Sequence, residues 1–488
     1  MLKVLRESEW DRFFERYGVY FLLAILFYAF LLRVFYLVSE SMWIDETISA
    51  VASLGILEHG VPVLESGSWY ARSELFHYGM AFFIWLLGGD FGARFLSVLF
   101  GVFTVILAYH YGKSFIGKGF GGLCFALLIT LSTLEIIYSK QARMYQAFQF
   151  FYFLTFYLFY RIVIQRKRVF SRLIFDYAFL IFSLALTTHL HLLGYALIPI
   201  FLGVYILHRF SFSNIFSLFR DKMFLAMLFF GFVAAGFILY KIFALSAFSD
   251  LDRAVYYAGL YSDFYLRYLA FVLFAGLGLL VALFSKEWKF HLSFFMLVAL
   301  PYTGMFFLQK FGTRYVYFAL FGLLFYVAFL FHKLMFKYLM LAAFLFFYAG
   351  SLFSFNGIEK VNYDSSMPFS DFKGAYEFVD GSEYLSSLPL VTTWTPAAVW
   401  YGNGAQYWIY YKVTGQTTEL WTINTDTGME RFANATIVRE IEDLPWEFTY
   451  VVDAQATRKL SPSMSEFLDS HCYSHFISYE IEVLSCVK

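Results

Sequence analysis

The stretch SMWIDETISA, residues 41–50, places two carboxylates side by side directly after the first long apolar run of the chain. One interpretation of Asp45 and Glu46 is helix capping, because acids at a helix N-terminus stabilise the helix by about 0.3–1 kcal/mol. A carboxylate at a membrane surface can also act as a general base. The chemical interpretation requires further reactive side chains that converge on the same place.

Two pairs of basic residues in later segments could hold a phosphate. Lys140 and Arg143 lie in EIIYSKQARMYQ, where Tyr145 follows them. Lys310 and Arg314 lie in LQKFGTRYVYF. A guanidinium can bind two phosphate oxygens at once, so these residues are candidates for the phosphate of a lipid-linked donor. The alternative is that they are bases at helix ends that extend into the headgroup region.

Four other residues are candidates for contacts with a substrate or a metal. His189 and His191 form an H-x-H pattern in TTHLHLLG, and neutral imidazoles are common zinc ligands. The two alternatives are therefore a divalent metal cofactor held by these residues, and histidines at a helix end that bind no metal. The other two candidates are Glu74 and His77, which lie in the same connection as Asp45 and Glu46.

The elements that position these residues must be membrane helices. Of the 488 residues, 60% are hydrophobic and only 15% are charged, and the mean hydropathy is +0.63. Apolar runs of about 20 residues, each able to cross the hydrocarbon core, recur along most of the chain. This composition excludes a soluble globular protein. We expect contact with membrane lipid, and we expect no nucleic-acid partner.

The apolar pattern predicts a mostly α-helical, polytopic bundle of about eleven spans. These are 17–38, 91–111, 119–137, 145–164, 173–189, 192–208, 223–245, 264–284, 290–308, 315–331 and 338–355. One set of connections carries 17 Lys and Arg residues, and the opposite set, without the tail, carries 6. The positive-inside rule therefore predicts a cytoplasmic N-terminus and an extracytoplasmic tail. Between the first two spans, the pattern predicts interfacial helices.

The tail differs in composition from the rest of the chain. Residues 356–488 hold 18 acids and 8 bases, and two strand-then-helix patterns occur, at 388–402 and 448–470. We therefore predict a transmembrane domain at 1–355 and a small extracytoplasmic α/β domain at 356–488. In this tail, Cys472 and Cys486 flank a predicted hairpin and are either a disulfide or two buried thiols.

The chain resembles the GT-C class of integral-membrane glycosyltransferases, and within it the dolichyl-phosphate-mannose mannosyltransferase and aminoarabinose-transferase type. The resemblance rests on WIDE (43–46), FGARFLSVLFGVFTVILAYHYGKSFIG (91–117), IIYSKQARMYQAF (136–148) and TRYVYFAL (313–320). By position, Asp45 matches the catalytic acid of the family and Glu46 its usual neighbour. Glu74 falls near a second-loop glutamate of the aminoarabinose transferases, although Leu75 and Phe76 follow it here in place of Lys-Pro.

The resemblance implies an enzyme that transfers a sugar, such as mannose or another hexose or pentose, from a polyprenyl- or dolichyl-phosphate donor. The acceptor would be a hydroxyl on a protein, glycan or lipid outside the cytoplasm. A single carboxylate base and in-line attack would invert the anomeric centre, and the cations would stabilise the departing phosphate. In this scheme Asp45 is the base, while Glu46 orients the loop or helps to hold a cation. The alternatives are a transporter or flippase for a phosphorylated lipid, and a non-catalytic scaffold.

Overall fold

The structure is a computed structural model of the chain. It describes residues 2–169, 171–209, 221–229, 269–307, 317–334, 337–338, 341–342, 370–410, 423–424, 427–453 and 460–488, with side chains except at 2–11, 269–270 and 302–307. The chain divides into two compact units. The first comprises Met1–Arg33, Val98–Ser139 and Met144–Ile358, and the second comprises Val34–Ser97, Lys140–Arg143 and Glu359–Lys488.

Long helices follow the apolar runs of the sequence. In chain order they are α1 (Leu2–Val34), α2 (Ile44–His59), α3 (Glu74–Leu87), α4 (Gly89–Tyr111), α5 (Phe120–Leu131), α6 (Thr133–Ser139), α7 (Tyr145–Phe159), α8 (Leu173–Leu190), α9 (Leu197–Arg209), α10 (Leu269–Leu283), α11 (Trp288–Phe307) and α12 (Leu320–Lys333). π-Helical turns extend α4 and α7, and 3-10 turns precede α9 and α12. Residues 222–229 are also helical.

Within the described ranges, five segments are long and apolar enough to cross a membrane: Arg12–Val34, Gly89–Ile116, Tyr145–Ile164, Leu173–Leu190 and Leu192–Arg209. The pair of α5 and α6 makes a sixth if it counts as one span. These segments coincide with the first six predicted spans, which confirms the polytopic helical fold. The predicted spans 223–245 and 338–355 lie mostly outside the described residues. The other three contain shorter apolar helices.

The third predicted span, 119–137, consists of two helices that meet at a bend. α5 and α6 meet at an angle of 64°, because Ser132 has an extended backbone (ψ 119°) that interrupts the helical hydrogen bonds. The fully buried guanidinium of Arg33 donates to the carbonyls of Ile129 (3.4 Å) and Thr130 (3.5 Å). Carbonyls at the end of a helix have no intrahelical partner, so Arg33 satisfies the acceptors that the bend leaves.

The connection after α1 forms two short helices, as predicted. Gly60 ends α2 in the left-handed region (φ 77°), where a side chain would be strained, and Pro62 follows soon after. Within α2, Gly55 lies against the backbone of Val63, and a Cβ at position 55 would come within 1.9 Å of the Val63 carbonyl oxygen. One face of α3 exposes an apolar stripe, which is typical of a helix that contacts lipid. The stripe consists of Leu75, Tyr78, Phe82 and Trp85.

The described part of the tail is an α/β domain, as predicted. Its elements are α13 (Phe372–Gly381), α14 (Glu383–Ser387), β1 (Leu390–Thr392), α15 (Thr395–Tyr401), β2 (Tyr407–Ile409), β3 (Thr436–Val438), β4 (Glu447–Asp453), α16 (Pro462–His471), β5 (Cys472–Ser478) and β6 (Ile481–Val487). The strand order is β3-β2-β1-β4-β6-β5. The first four strands in this order are parallel to one another, whereas β6 is antiparallel to both of its neighbours, β4 and β5. Both predicted strand-then-helix patterns are present.

Apolar clusters cover both faces of this sheet. On one face, Phe448 and Tyr450 pack with Phe467 of α16. On the other face, Val451 packs with Tyr376 of α13 and other residues of α13 to α15. A disulfide joins Cys472 to Cys486 across the paired strands β5 and β6, which is the first of the two alternatives that the sequence left open.

The two compact units do not follow the predicted division of the chain into residues 1–355 and 356–488 at every point. Residues Val34–Ser97 and Lys140–Arg143 belong to the unit that contains the tail. The physical reason is that α2 shares an apolar cluster with the α/β domain, in which Ile48 and Val51 pack with Phe432. Because residues 343–369 lie outside the described ranges, the predicted boundary itself remains a prediction.

Candidate active site

The acidic pair occupies the first turn of α2, and its two carboxylates differ in their surroundings. Trp43 is the N-cap residue, with an extended backbone. The backbone N–H of Trp43 donates to Glu46 Oε2 at 3.2 Å. A glutamate at the third helical position commonly accepts from the N-cap residue in this way. Glu46 is therefore a capping residue of α2. Its side chain is 2% exposed, whereas that of Asp45 is 27% exposed.

Glu46 forms a buried ion pair with Arg94, which lies on α4. Arg94 Nε donates to Glu46 Oε1 at 3.1 Å, and Arg94 Nη2 donates to Oε2 at 3.0 Å. The N–H of Ala142 also donates to Glu46 Oε1, at 2.6 Å. Each carboxylate oxygen of Glu46 thus accepts two N–H groups, so this carboxylate is fixed inside the protein.

The remaining donors of Arg94 hold the segment that leads into α2. Arg94 Nη1 donates to the carbonyls of Leu37 (2.7 Å) and Glu40 (2.9 Å), and Nη2 donates to that of Ser41 (3.1 Å). All five N–H groups of the guanidinium therefore have an acceptor. Arg94 lies in the segment 91–117, but no role was predicted for it. The available signal was a single arginine within an apolar span, which usually marks an important site.

Asp45 lies beside the buried guanidinium of Arg143. Arg143 Nη1 donates to the Asp45 carbonyl at 3.0 Å and to Ser49 Oγ at 2.6 Å. Its Nη2 is 3.8 Å from Asp45 Oδ2, and its side chain is 3% exposed. The Arg143 carbonyl in turn accepts from Ser97 Oγ at 3.2 Å. The structure thus brings together Asp45, Glu46 and Arg143. The Asp45 carboxylate is partly exposed, and it lies beside the Arg143 guanidinium, which its hydrogen bonds hold in place.

Lys140 is 2% exposed, and its ammonium donates to the carbonyl of Phe35 at 2.7 Å. Tyr145 is the first residue of α7 and is 3% exposed, with its ring centroid 6.1 Å from that of Tyr138. Lys310 and Arg314 lie outside the described residues. Binding of a donor phosphate by these residues therefore remains a prediction.

The candidates of the first connection lie near the start of α3. Glu74 Oε1 accepts from the indole N–H of Trp69 at 2.7 Å, and Trp69 is 46% exposed. His77 is 1% exposed, and its ring packs against Tyr70 with 5.3 Å between centroids. This is the environment of a core histidine, whereas Glu74 and Trp69 form a pair that is accessible to a ligand.

The H-x-H histidines lie at the end of α8. His189 is exposed, and His191 is half-buried against Phe148, with 5.0 Å between ring centroids. The Nδ1 atom of His191 accepts from the N–H of Leu193 at 3.2 Å. Among the described residues, no three His, Cys, Asp or Glu side chains are grouped so that they could hold a metal ion. The described donors therefore do not fit a metal site.

A buried polar network within the helical unit was not predicted. Glu135 is fully buried and accepts from Gln149 Nε2 at 2.7 Å. Tyr317 donates to Gln146 Oε1 at 2.8 Å and to Gln149 Oε1 at 3.0 Å, and it stacks on Tyr138 with 4.0 Å between centroids. The network fixes the start of α12 relative to α7. The available signal was a carboxylate and two amides in strongly apolar sequence.

The fold is that of a known class of membrane enzymes. Over 98% of its length the chain matches the crystal structure of ArnT from Cupriavidus metallidurans in the apo state, with a TM-score of 0.55, 10% identity and 98% of that chain covered. It also matches the structure of the same ArnT bound to undecaprenyl phosphate, with a TM-score of 0.56, 12% identity and 98% coverage of both chains. These matches confirm the predicted resemblance to the GT-C glycosyltransferases at the level of fold.

A more distant match is the Archaeoglobus fulgidus oligosaccharyltransferase, whose structure has an acceptor peptide containing the NVT sequon tethered by a disulfide bond. The TM-score is 0.50 and the identity 11%, and the alignment covers 80% of this chain and 63% of that one. No family model and no curated protein matches the sequence. Since the identities are low, these similarities establish the architecture, and the residues of this chain must carry the argument on chemistry.

Proposed function

We propose that the protein is a membrane glycosyltransferase that transfers a sugar from a polyprenyl-phosphate donor to an acceptor hydroxyl. The observation that carries this proposal is the partly exposed Asp45 carboxylate, 3.8 Å from the Arg143 guanidinium. Around it, the Glu46–Arg94 pair fixes the start of α2. The helical fold, which is that of membrane glycosyltransferases including ArnT bound to undecaprenyl phosphate, supports a lipid-phosphate donor.

In the proposed reaction, Asp45 removes the proton of the acceptor hydroxyl while the hydroxyl oxygen attacks the anomeric carbon. The bond between that carbon and the phosphate oxygen breaks, and its electron pair stays on the departing lipid phosphate. The products are the glycosylated acceptor, with an inverted anomeric centre, and polyprenyl phosphate. A positioned general base typically contributes about 10²–10⁴-fold to the rate.

The roles of the cations follow from the charge that develops. The departing phosphate gains negative charge, which fixed cations stabilise in a site of low dielectric constant. We assign this role to Arg143 and Lys140 and, on sequence grounds, to Lys310 and Arg314. Because Arg143 also donates to the Asp45 carbonyl and to Ser49, it has a second role, which is to hold the base in place.

Mannose and other hexoses or pentoses are candidate sugars, dolichyl and undecaprenyl phosphate are candidate carriers, and the acceptor is a protein, glycan or lipid hydroxyl. The test uses the purified protein in lipid nanodiscs with radiolabelled polyprenyl-phosphate sugars, supplied one at a time with candidate acceptors. We expect one donor to yield free polyprenyl phosphate and labelled acceptor, with Asp45→Asn as the inactive control. In a parallel assay with proteoliposomes, movement of the intact labelled lipid from one leaflet to the other, without any cleavage, would instead indicate a flippase.

We further propose that the N-terminus is cytoplasmic and that Asp45 and the tail are extracytoplasmic. The 17-to-6 distribution of basic residues supports this orientation. The Cys472–Cys486 disulfide supports it independently, because disulfides persist mainly outside the cytoplasm. Asp380 is exposed on α13, so an Asp380→Cys variant should react with a membrane-impermeant thiol reagent on intact cells. Labelling only after lysis would overturn this orientation.

A further inference from the structure

The sheet of the α/β domain has the topology of a ligand-binding fold. The chain first places β2 beside β1 and then β3 beside β2. It then returns to place β4 on the other side of β1. This reversal is a topological switch point, and open α/β sheets usually bind ligands there, at the carboxyl ends of the strands. What occupies the carboxyl ends of β1 and β4 therefore bears on the role of the domain.

Polar side chains of the domain satisfy one another at this edge. Asp453, the last residue of β4, accepts from Ser370 Oγ at 2.6 Å, and its N–H donates to Thr393 Oγ1 at 3.1 Å. The hydroxyls of Tyr376 and Thr392 lie 3.0 Å apart. All five residues are buried. These contacts are internal to the domain and make a rigid base for the residues that follow β1.

The residues that follow β1 contact α2. The indole N–H of Trp394 donates to Thr47 Oγ1 at 3.0 Å, and Thr47 is fully buried. Trp394 and Trp400 also pack against the apolar cluster that contains Ile48 and Val51 of α2. The edge of the sheet that binds ligands in other open α/β folds thus contacts the helix that carries Asp45.

Tyr401, the last residue of α15, contacts the segment that leads into α2. The Tyr401 hydroxyl accepts from the N–H of Met42 at 2.7 Å and donates to Asp90 Oδ2 at 3.2 Å. Trp400 donates to Asp90 Oδ1 at 2.8 Å, and Asp90 is 8% exposed. Asp90 lies in the first turn of α4, four residues before Arg94. Tyr401 therefore joins the segment that enters α2 to the start of α4.

These contacts place one anchor on each side of Asp45, at Met42 and at Thr47. We propose that the α/β domain is part of the catalytic apparatus, with Tyr401 and Trp394 as positioning residues that set the Asp45 carboxylate at the proper distance from the acceptor. The inference rests on the proposed function, in which Asp45 is the base. A positioning residue of this kind acts on turnover, because an error of about 1 Å at a catalytic group can cost about 10²-fold.

The first test compares Tyr401→Phe with Tyr384→Phe. Both changes remove one phenolic hydroxyl from the same domain, but the Tyr384 hydroxyl donates to Glu447 (2.7 Å), on β4, and is exposed. We expect Tyr401→Phe to lower kcat by about tenfold with an unchanged KM for the donor, and Tyr384→Phe to leave both unchanged. Trp394→Phe, which loses the bond to Thr47, should resemble Tyr401→Phe. A rise in KM at constant kcat, or no change in either constant, would overturn the inference.

The second test measures the segment directly and does not depend on turnover. Amide hydrogen exchange of peptides covering residues 41–47 should be faster in Tyr401→Phe than in the unmodified protein, and unchanged in Tyr384→Phe. Equal exchange in the two variants would overturn the positioning role. If no donor supports turnover at all, the proposed function fails, and the exchange result then decides alone whether the domain holds this segment.

Discussion

Removal of the charge should affect the thermal stability of the protein strongly at Glu46 and little at Asp45. Glu46 accepts four N–H groups, two on each oxygen, and two of the four come from Arg94. In Glu46→Gln, the new amide NH₂ replaces one of these oxygens and faces two N–H donors whichever way it is oriented. Removing one partner of a buried ion pair costs about 3–5 kcal/mol. We therefore expect Glu46→Gln to be strongly destabilising.

This cost can be expressed as a change in melting temperature. For a unit of about 150–250 residues, 1 kcal/mol corresponds to about 2–4 °C, so Glu46→Gln should lower Tm by about 6–20 °C. Asp45→Asn is the matched control. Asp45 is 27% exposed and 3.8 Å from Arg143, and the buried Arg143 keeps its bonds to the Asp45 carbonyl and to Ser49 in this variant, so the loss should be about 1 kcal/mol or less. The Tm of Asp45→Asn should therefore change by no more than about 4 °C.

The assay is thermal unfolding of both variants in the same nanodiscs, followed by intrinsic fluorescence. Arg94→Gln should destabilise at least as much as Glu46→Gln, because it leaves the Glu46 carboxylate buried without its partner. The double variant should be less destabilised than the sum of the two single variants, since the residues interact directly. A Tm for Glu46→Gln equal to that of the unmodified protein would refute the buried ion pair.

Three further predictions concern other parts of the chain. Arg143→Ala should lower single-turnover sugar transfer by about one to two decades, whereas Arg143→Lys should retain more activity; equal rates for the two variants would argue against a role for the guanidinium. Burial raises the pKa of Glu430 from about 4.5 to about 7, so the folded state binds a proton that the unfolded state has released. Thermal stability should therefore fall as the pH rises from about 4.5 to about 7, and Glu430→Gln should flatten this dependence in melting scans. Replacing both Cys472 and Cys486 by Ser should cost about 3 kcal/mol, since the disulfide closes a loop with a sequence separation of 14; an unchanged Tm would contradict this.

The sequence was sufficient for features that depend on local pattern. Hydrophobic runs of sufficient length located the first six spans, and Gly60 marked the end of α2. In the tail, Ser461 caps α16 by accepting from the Met464 N–H at 3.2 Å, with Pro462 at the first helical position, a pair of residues typical of a helix start. Each of these signals involves residues only a few positions apart, which is why a single sequence reveals them.

The partners in the site could not be predicted, because they come from distant parts of the chain. Glu46 and Arg94 are 48 positions apart, and Met42 and Tyr401 are 359 positions apart. A charge in an apolar segment indicates that some partner exists, but one sequence cannot show which one. The bend at Ser132 escaped prediction for a similar reason. It contains no proline, and the acceptors that it leaves are satisfied by Arg33, about 100 residues earlier.

The central claim is that Asp45 is the base of a sugar transfer. A single-turnover assay of Asp45→Asn, with donor binding and Tm measured on the same preparation, tests this claim most directly. Asparagine keeps the shape of the side chain and one acceptor oxygen, but it cannot take the acceptor proton at neutral pH. We predict a loss of about 10²–10⁴-fold in the transfer rate, with donor binding and Tm preserved. Near-normal transfer by this variant would contradict the account and remove Asp45 from the mechanism.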